Sequence, residues 1–237
     1  MKYRQLALSL VAGLTVASAQ AATPAHSYVF STGFSDADVS WSNATLSDSG
    51  LNVGWDGQVA LSNVLSSPEY SLDLVLSLDR TDWQRKVLDF KGLSTDGGLY
   101  VDFGQVSLSD NAGAYVASSA NVVSALSPVR LTFTRTATGL FSSYVNGALQ
   151  FSFDDAANLT TFGTSGIFFK DDAAGCGYCQ TGGSLAYVNV YDTALSAREV
   201  SSIGNPVTPA VPEPESAALL VAGLLTAGTL FKRRQAR

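Results

Sequence analysis

The sequence predicts an all-β fold, a two-sheet antiparallel jelly-roll sandwich, with a helix-forming apolar segment at each end of the chain. Three observations carry this expectation. Leu72, Leu74, Leu76 and Leu78 alternate with Asp73, Val75, Ser77 and Asp79, the period-two pattern of a half-buried strand. Tyr144-Val145-Asn146-Gly147-Ala148-Leu149 sets an Asn-Gly pair between two strand-like runs, and a type I′ hairpin turn needs positive φ at both of its central residues. No helical periodicity competes in the body of the chain. With 46% hydrophobic and 14% charged residues among 237, the chain is too apolar for disorder and too polar for many membrane spans. Trimming the two ends leaves roughly 190 residues, a common size for one all-β unit. Such a unit buries about 70% of its unfolded surface and needs no metal or disulfide to hold its core.

The elements follow in chain order. Lys2 and Arg4 precede an apolar stretch from Leu6 to Ala19, closed by the small-residue sites Ala17-Ser18-Ala19 and Ala19-Gln20-Ala21. That order is a secretory signal peptide, so residues 1–21 are expected to form a signal helix read by the secretion translocon. The domain then spans residues 22–204. Besides the two strands at 72–78 and 129–134, strands are expected at 28–30, 59–61, 87–90, 99–103, 167–169 and 185–191. Ser196-Ala197-Arg198-Glu199 matches a capping box and opens one short helix, expected to run to Ile203 and to end at Gly204. Residues 205–215 are proline-rich and read as an extended linker. An uncharged run from Ser216 to Phe231 follows, closed by Lys232, Arg233 and Arg234. Sixteen residues rise about 24 Å as a helix against a hydrocarbon core of ~30 Å, so this segment anchors transiently with local thinning or snorkelling. The basic cluster stays on the cytoplasmic side and leaves the body outside.

Pro212, Glu213 and Pro214, the short apolar helix and the terminal basic cluster together resemble the PEP-CTERM sorting signal of Gram-negative bacteria. The parts of this resemblance fall within the last 30 residues of the chain. It implies handling by an exosortase and delivery to the cell surface or beyond, and says nothing of what the body does.

The body has its own resemblance. Arg85 to Phe90 before Gly98-Leu99-Tyr100-Val101, then Thr134-Arg135-Thr136 leading to Tyr144-Val145-Asn146-Gly147, follow the strand order of laminin-G-like domains. Ile167 to Asp172, Gly183, and Val188 to Asp192 through Leu195-Ser196 and Glu199-Val200 resemble their C-terminal signature. Over residues 28–204 the chain is thus similar to the concanavalin A-like fold, which implies a jelly roll and a polysaccharide as a partner.

Chemistry by side-chain inventory is sparse. Between Ala22 and Ala210 stand eight Lys and Arg against eighteen Asp and Glu, a net charge of −10. Such a body repels phosphate backbones, so no nucleic-acid partner is expected. The single histidine, His26, lies at the frayed start, a poor place for a catalytic triad. Retaining hydrolases of this sandwich class resemble one another in an E-x-D-x-x-E strand, because nucleophile and acid must stand about 5 Å apart. No such cluster occurs here, and Asp154-Asp155 would point to opposite faces of a strand. The expected function is therefore a non-catalytic binding or structural module for glycan or extracellular matrix. The alternative is a divergent glycan hydrolase using aspartates.

Laminin-G-like domains often hold Ca²⁺ at a sandwich edge, and the resemblance makes Asp171 and Asp172 the calcium candidates, with Asp96 and Asp102 as further oxygens. Solvated turn acids are the plainer reading of the same residues. Cys176 and Cys179 stand in a glycine-flanked loop rather than at a helix N-terminus, and outside the cytoplasm a local disulfide is expected. Trp41, Trp55 and Trp83 can stack on sugar faces, although large aromatics serve more often as packing. The loop of residues 171–183 is the expected ligand or ion edge.

Overall fold

The computed structural model describes residues 22–171 and 178–203. The signal segment, Asp172, Cys176, the Pro212-Glu213-Pro214 motif and the tail all lie outside the described residues. In chain order the strands are β1 (His26–Val29), β2 (Val39–Ser47), β3 (Gly50–Ser62), β4 (Tyr70–Leu78), β5 (Gln84–Asp89), β6 (Gly98–Asp102) and β7 (Gln105–Ser109). There follow β8 (Tyr115–Asn121), β9 (Val129–Arg135), β10 (Leu140–Val145), β11 (Ala148–Asp154), β12 (Ser165–Phe168), β13 (Gly183–Tyr191) and a helix, α1 (Ala197–Ser202). All paired strands are antiparallel and form one hydrogen-bonded path, β11-β10-β9-β4-β13-β3-β12-β5-β6-β7-β8, with β1 added on β13 and β2 on β3. His26 is therefore not frayed: it opens β1 opposite Val190.

The path folds over on itself through β3. Its Leu51–Val53 stretch pairs with β13, while Val59 to Ser62 pairs with β12, so this one strand serves both layers. The core fills the space between them. Leu72, Leu74, Leu76 and Leu78 meet Val87, Leu99, Val101, Val106 and Leu108, all fully buried. Phe141 packs edge-on to Phe90 and stacks on Phe133 at 6.0 Å. Burial of this kind stabilises by roughly 1.5–3 kcal/mol per large apolar side chain.

Where the sequence reads β4 as half-buried, the structure buries both of its faces. Asp73 is fully buried, its carboxylate 2.6 Å from Arg130 Nε, and it accepts from Thr132 and Tyr187 hydroxyls. The outer face of the sheet is covered by residues 191–203. Ser71 Oγ donates to Thr193 O and accepts from Leu195 N, and Tyr191, Leu195 and Val200 form a second apolar cluster with Tyr144. The capping box is present: Glu199 N donates to Ser196 Oγ and Ser196 N to Glu199 Oε2. Arg130 extends its guanidinium from beneath α1 to the carbonyls of Val200 and Ile203.

Candidate functional site

A concavity bordered by aromatic rings lies where β3 crosses between the layers. Ala44 pairs with Val53 and Ser42 with Gln58, so residues 54–57 of β3 face the single residue Asn43 and bulge out of the ladder. The bulge carries Trp55 at 42% exposure. Glycine is required beside it, because a Cβ on Gly57 would stand 2.7 Å from Asn43 O and 2.6 Å from Val53 Cγ1. Trp83 ends the β4–β5 turn with φ 63° and is 59% exposed. A left-handed φ costs a bulky residue of order 1 kcal/mol, so the chain holds this indole in solvent against a local preference. Tyr178, exposed in the loop before β13, completes the wall.

Two arginines brace the rings. Arg85, on β5, is buried, and its guanidinium lies 5.3 Å from the Trp55 ring centroid; Arg80 lies 5.9 Å from the same ring. Arg85 donates to Asp82 O at 2.8 Å and to Tyr178 O at 2.7 Å, which ties the Trp83 turn to the Tyr178 loop. Arg80 grips the Asp82 carboxylate with Nε and Nη2, and Arg85 Nη2 reaches the same carboxylate at 3.1 Å. Hydrogen bonding from Arg80, reinforced by Arg85 and by both positive charges, draws the Asp82 carboxyl down to about 2. Lys170 pairs with Asp56 nearby. Trp55, Arg80, Trp83, Arg85 and Tyr178 thus enclose a cleft of about 360 Å³.

Such a cleft offers flat π faces to the C–H face of a sugar ring, with a half-exposed guanidinium and carboxylate at its rim to exchange hydrogen bonds with hydroxyls. Asp82 stands beside the cleft, held by Arg80 and Arg85. Ionised down to about pH 2, it has no proton to give near neutrality.

The residues expected from sequence fall in different places. Trp55 and Trp83 come together in the cleft, while Trp41 packs against the core near Phe34. Asp155 is buried against Arg135 and Asp154 is exposed at the end of β11, so they form no catalytic pair. Asp171 is buried, with Oδ1 3.5 Å from Lys86 Nζ and 3.2 Å from the Tyr100 hydroxyl. The Tyr100 hydroxyl also lies 2.8 Å from Asp96 O, whereas Asp102 sits elsewhere, accepting from Tyr115. An ammonium already beside the Asp171 carboxylate repels a divalent ion, and the described residues hold no converging set of three His, Cys, Asp or Glu side chains. These residues do not fit calcium at Asp171. Cys179 is buried and is not a free thiol. Arg80, Asp82, Arg85, Lys86 and Asp89 escaped sequence reasoning. The run Arg80-Thr81-Asp82-Trp83 carried a usable signal, a tryptophan in a polar turn with no apolar neighbour to pack against.

A family model described as the concanavalin A-like lectin/glucanases superfamily matches residues 53–201. The chain belongs to that superfamily. Among solved structures it is similar to the botulinum neurotoxin serotype D binding domain, with a TM-score of 0.52 and 14% identity over 75% of this chain and 50% of that one. Domain 4 of AbnA, a GH43 extracellular arabinanase from Geobacillus stearothermophilus in complex with arabinotriose, matches with a TM-score of 0.52 and 13% identity, over 76% of this chain and 87% of that one. Trypanosoma rangeli sialidase in complex with sialic acid matches with a TM-score of 0.55 and 14% identity, covering 75% and 32%. This chain therefore spans half of the neurotoxin domain and about a third of the sialidase, and at these identities the likeness is one of fold. No curated protein sequence matches this chain.

Proposed function

We propose that the superfamily domain is a non-catalytic glycan-binding module that engages polysaccharide through the Trp55–Trp83–Tyr178 cleft. The observation that carries this reading is Trp83, an indole held in solvent on a left-handed backbone, facing a second exposed tryptophan across an arginine–aspartate pair. A packing role accounts for neither the exposure nor the backbone. The similar domains captured with arabinotriose and with N-acetylneuraminic acid are consistent with a carbohydrate partner. The module is exported by its signal segment through the secretion translocon, anchored transiently through residues 216–231, and released to the surface by an exosortase acting near Pro212-Glu213-Pro214. A glycan panel with arabino-oligosaccharides, sialylated chains and bacterial exopolysaccharides tests the binding claim. Trp55→Ala and Trp83→Ala should each weaken retention by tenfold or more, about 1.4 kcal/mol. Sugar turnover lost on Asp→Asn change in the body would overturn it in favour of a hydrolase.

A further inference from the structure

Lys86 is fully buried, yet its ammonium is surrounded by oxygen. Nζ lies 2.7 Å from the Tyr100 hydroxyl, 3.0 Å from Gly97 O, 3.4 Å from Asp96 O, 3.2 Å from Asp89 Oδ2 and 3.5 Å from Asp171 Oδ1. It also stands 4.5 Å from the centroid of the Tyr100 ring. An ammonium has three protons, so five oxygens are more than it can satisfy by hydrogen bonding. Such a shell is what a hard cation collects: two carboxylates, two backbone carbonyls and a hydroxyl. The neighbouring chain is shaped to admit the lysine. A Cβ on Gly98, at φ +152°, would meet Lys86 Cε at 2.9 Å and Leu88 O at 2.6 Å. Asp89 is in turn held by the amides of Lys91 and Leu93, which fix its second oxygen.

We propose that Lys86 is a tethered cation: its ammonium fills an oxygen cage that would otherwise take a divalent ion, and the domain is thereby independent of calcium. The cage joins β5, the 96–97 turn and Asp171, so it fixes the point from which the chain departs toward Tyr178. The chain is caught again on the far side of that departure, where the Lys86 amide donates to Cys179 O at 2.7 Å. One strand thus holds both ends of the segment that brings Tyr178 to the cleft. This claim stands on the cage geometry and does not depend on what the cleft binds.

Thermal unfolding of the full chain, in Ca²⁺ and in chelator, tests it. The wild type should melt at the same temperature in both. Lys86→Ala, which leaves two buried carboxylates facing each other, should melt about 10 °C lower in chelator. Ca²⁺ should recover a large part of that loss, because an ion that binds only the folded state stabilises it. Adding Asp89→Asn to Lys86→Ala should abolish the recovery. Should Lys86→Ala fail to fold in either buffer, Lys86→Gln takes its place and must show the same Ca²⁺-dependent rise. A wild type stabilised by Ca²⁺, or a foldable Lys86 variant that ignores it, overturns the proposal.

Discussion

Trp83 concentrates the tension between stability and function at a single residue. Its left-handed φ suits glycine, so Trp83→Gly should leave the melting temperature unchanged or raise it by a few degrees while abolishing glycan retention. A packing residue would show the opposite, a lower melting temperature. Asp82 gives the cleft its pH behaviour. Its carboxyl is depressed in the fold to about 2, below an unfolded value of about 3.9. The contribution of its pairing with Arg80 is therefore complete above about pH 4 and is lost as pH falls through about 2. Binding measured by titration on the folded protein should be level from about pH 8 to about pH 3 and should fall as pH approaches about 2. A binding step near pH 6 would point to a different titrating group. At this scale the tryptophans were visible in the sequence, but their grouping was not. Trp55 and Trp83 are twenty-eight positions apart and meet only because a four-residue bulge and a tight turn lie at the same edge.

Among elements, the hairpin of β10 and β11 was the most legible. Asn146 and Gly147 adopt φ 51° and 81°, as a type I′ turn demands. A Cβ on Gly147 would touch nothing closer than 3.6 Å, so Gly147→Ala should cost only the backbone term, about 1 kcal/mol, seen as a melting shift of about 2–4 °C. β2 was hidden because Asn43, at φ 47°, breaks the alternation of Val39 and Trp41 with Ala44 and Leu46. β8 was hidden because Tyr115–Asn121 is mostly exposed and carries Ala and Ser where a strand signal needs apolar contrast. The double burial of β4 was invisible for another reason. Its outer cover comes from residues more than a hundred positions away, and no local period reports that. Arg130 joins this cover to the sheet, with its guanidinium between Asp73 and the last turn of α1. Arg130→Ala leaves a buried, unpaired Asp73 and should lose about 3–5 kcal/mol in denaturant unfolding, more than Asp73→Asn combined with it.

At the scale of the whole molecule, an acidic β-sandwich carries a small basic-and-aromatic cleft at the corner where one strand passes between layers. The fold class was legible because alternation, turn chemistry and the capping box agreed with one another. The site was not, because its side chains come from the β3 bulge, the β4–β5 turn and the loop before β13, which only the closed sandwich brings together. The ends of the chain make a separate claim. Replacing Pro212, Glu213 and Pro214 by alanine should retain the protein in the cytoplasmic membrane, and unchanged release to the surface would contradict the sorting role. The cleft itself is tested most directly by affinity retention on a glycan panel, run side by side for the wild type and Trp83→Gly. The wild type should be retained by at least one polysaccharide class, and the variant should be equally folded but not retained. Equal retention of both would contradict the role of the cleft.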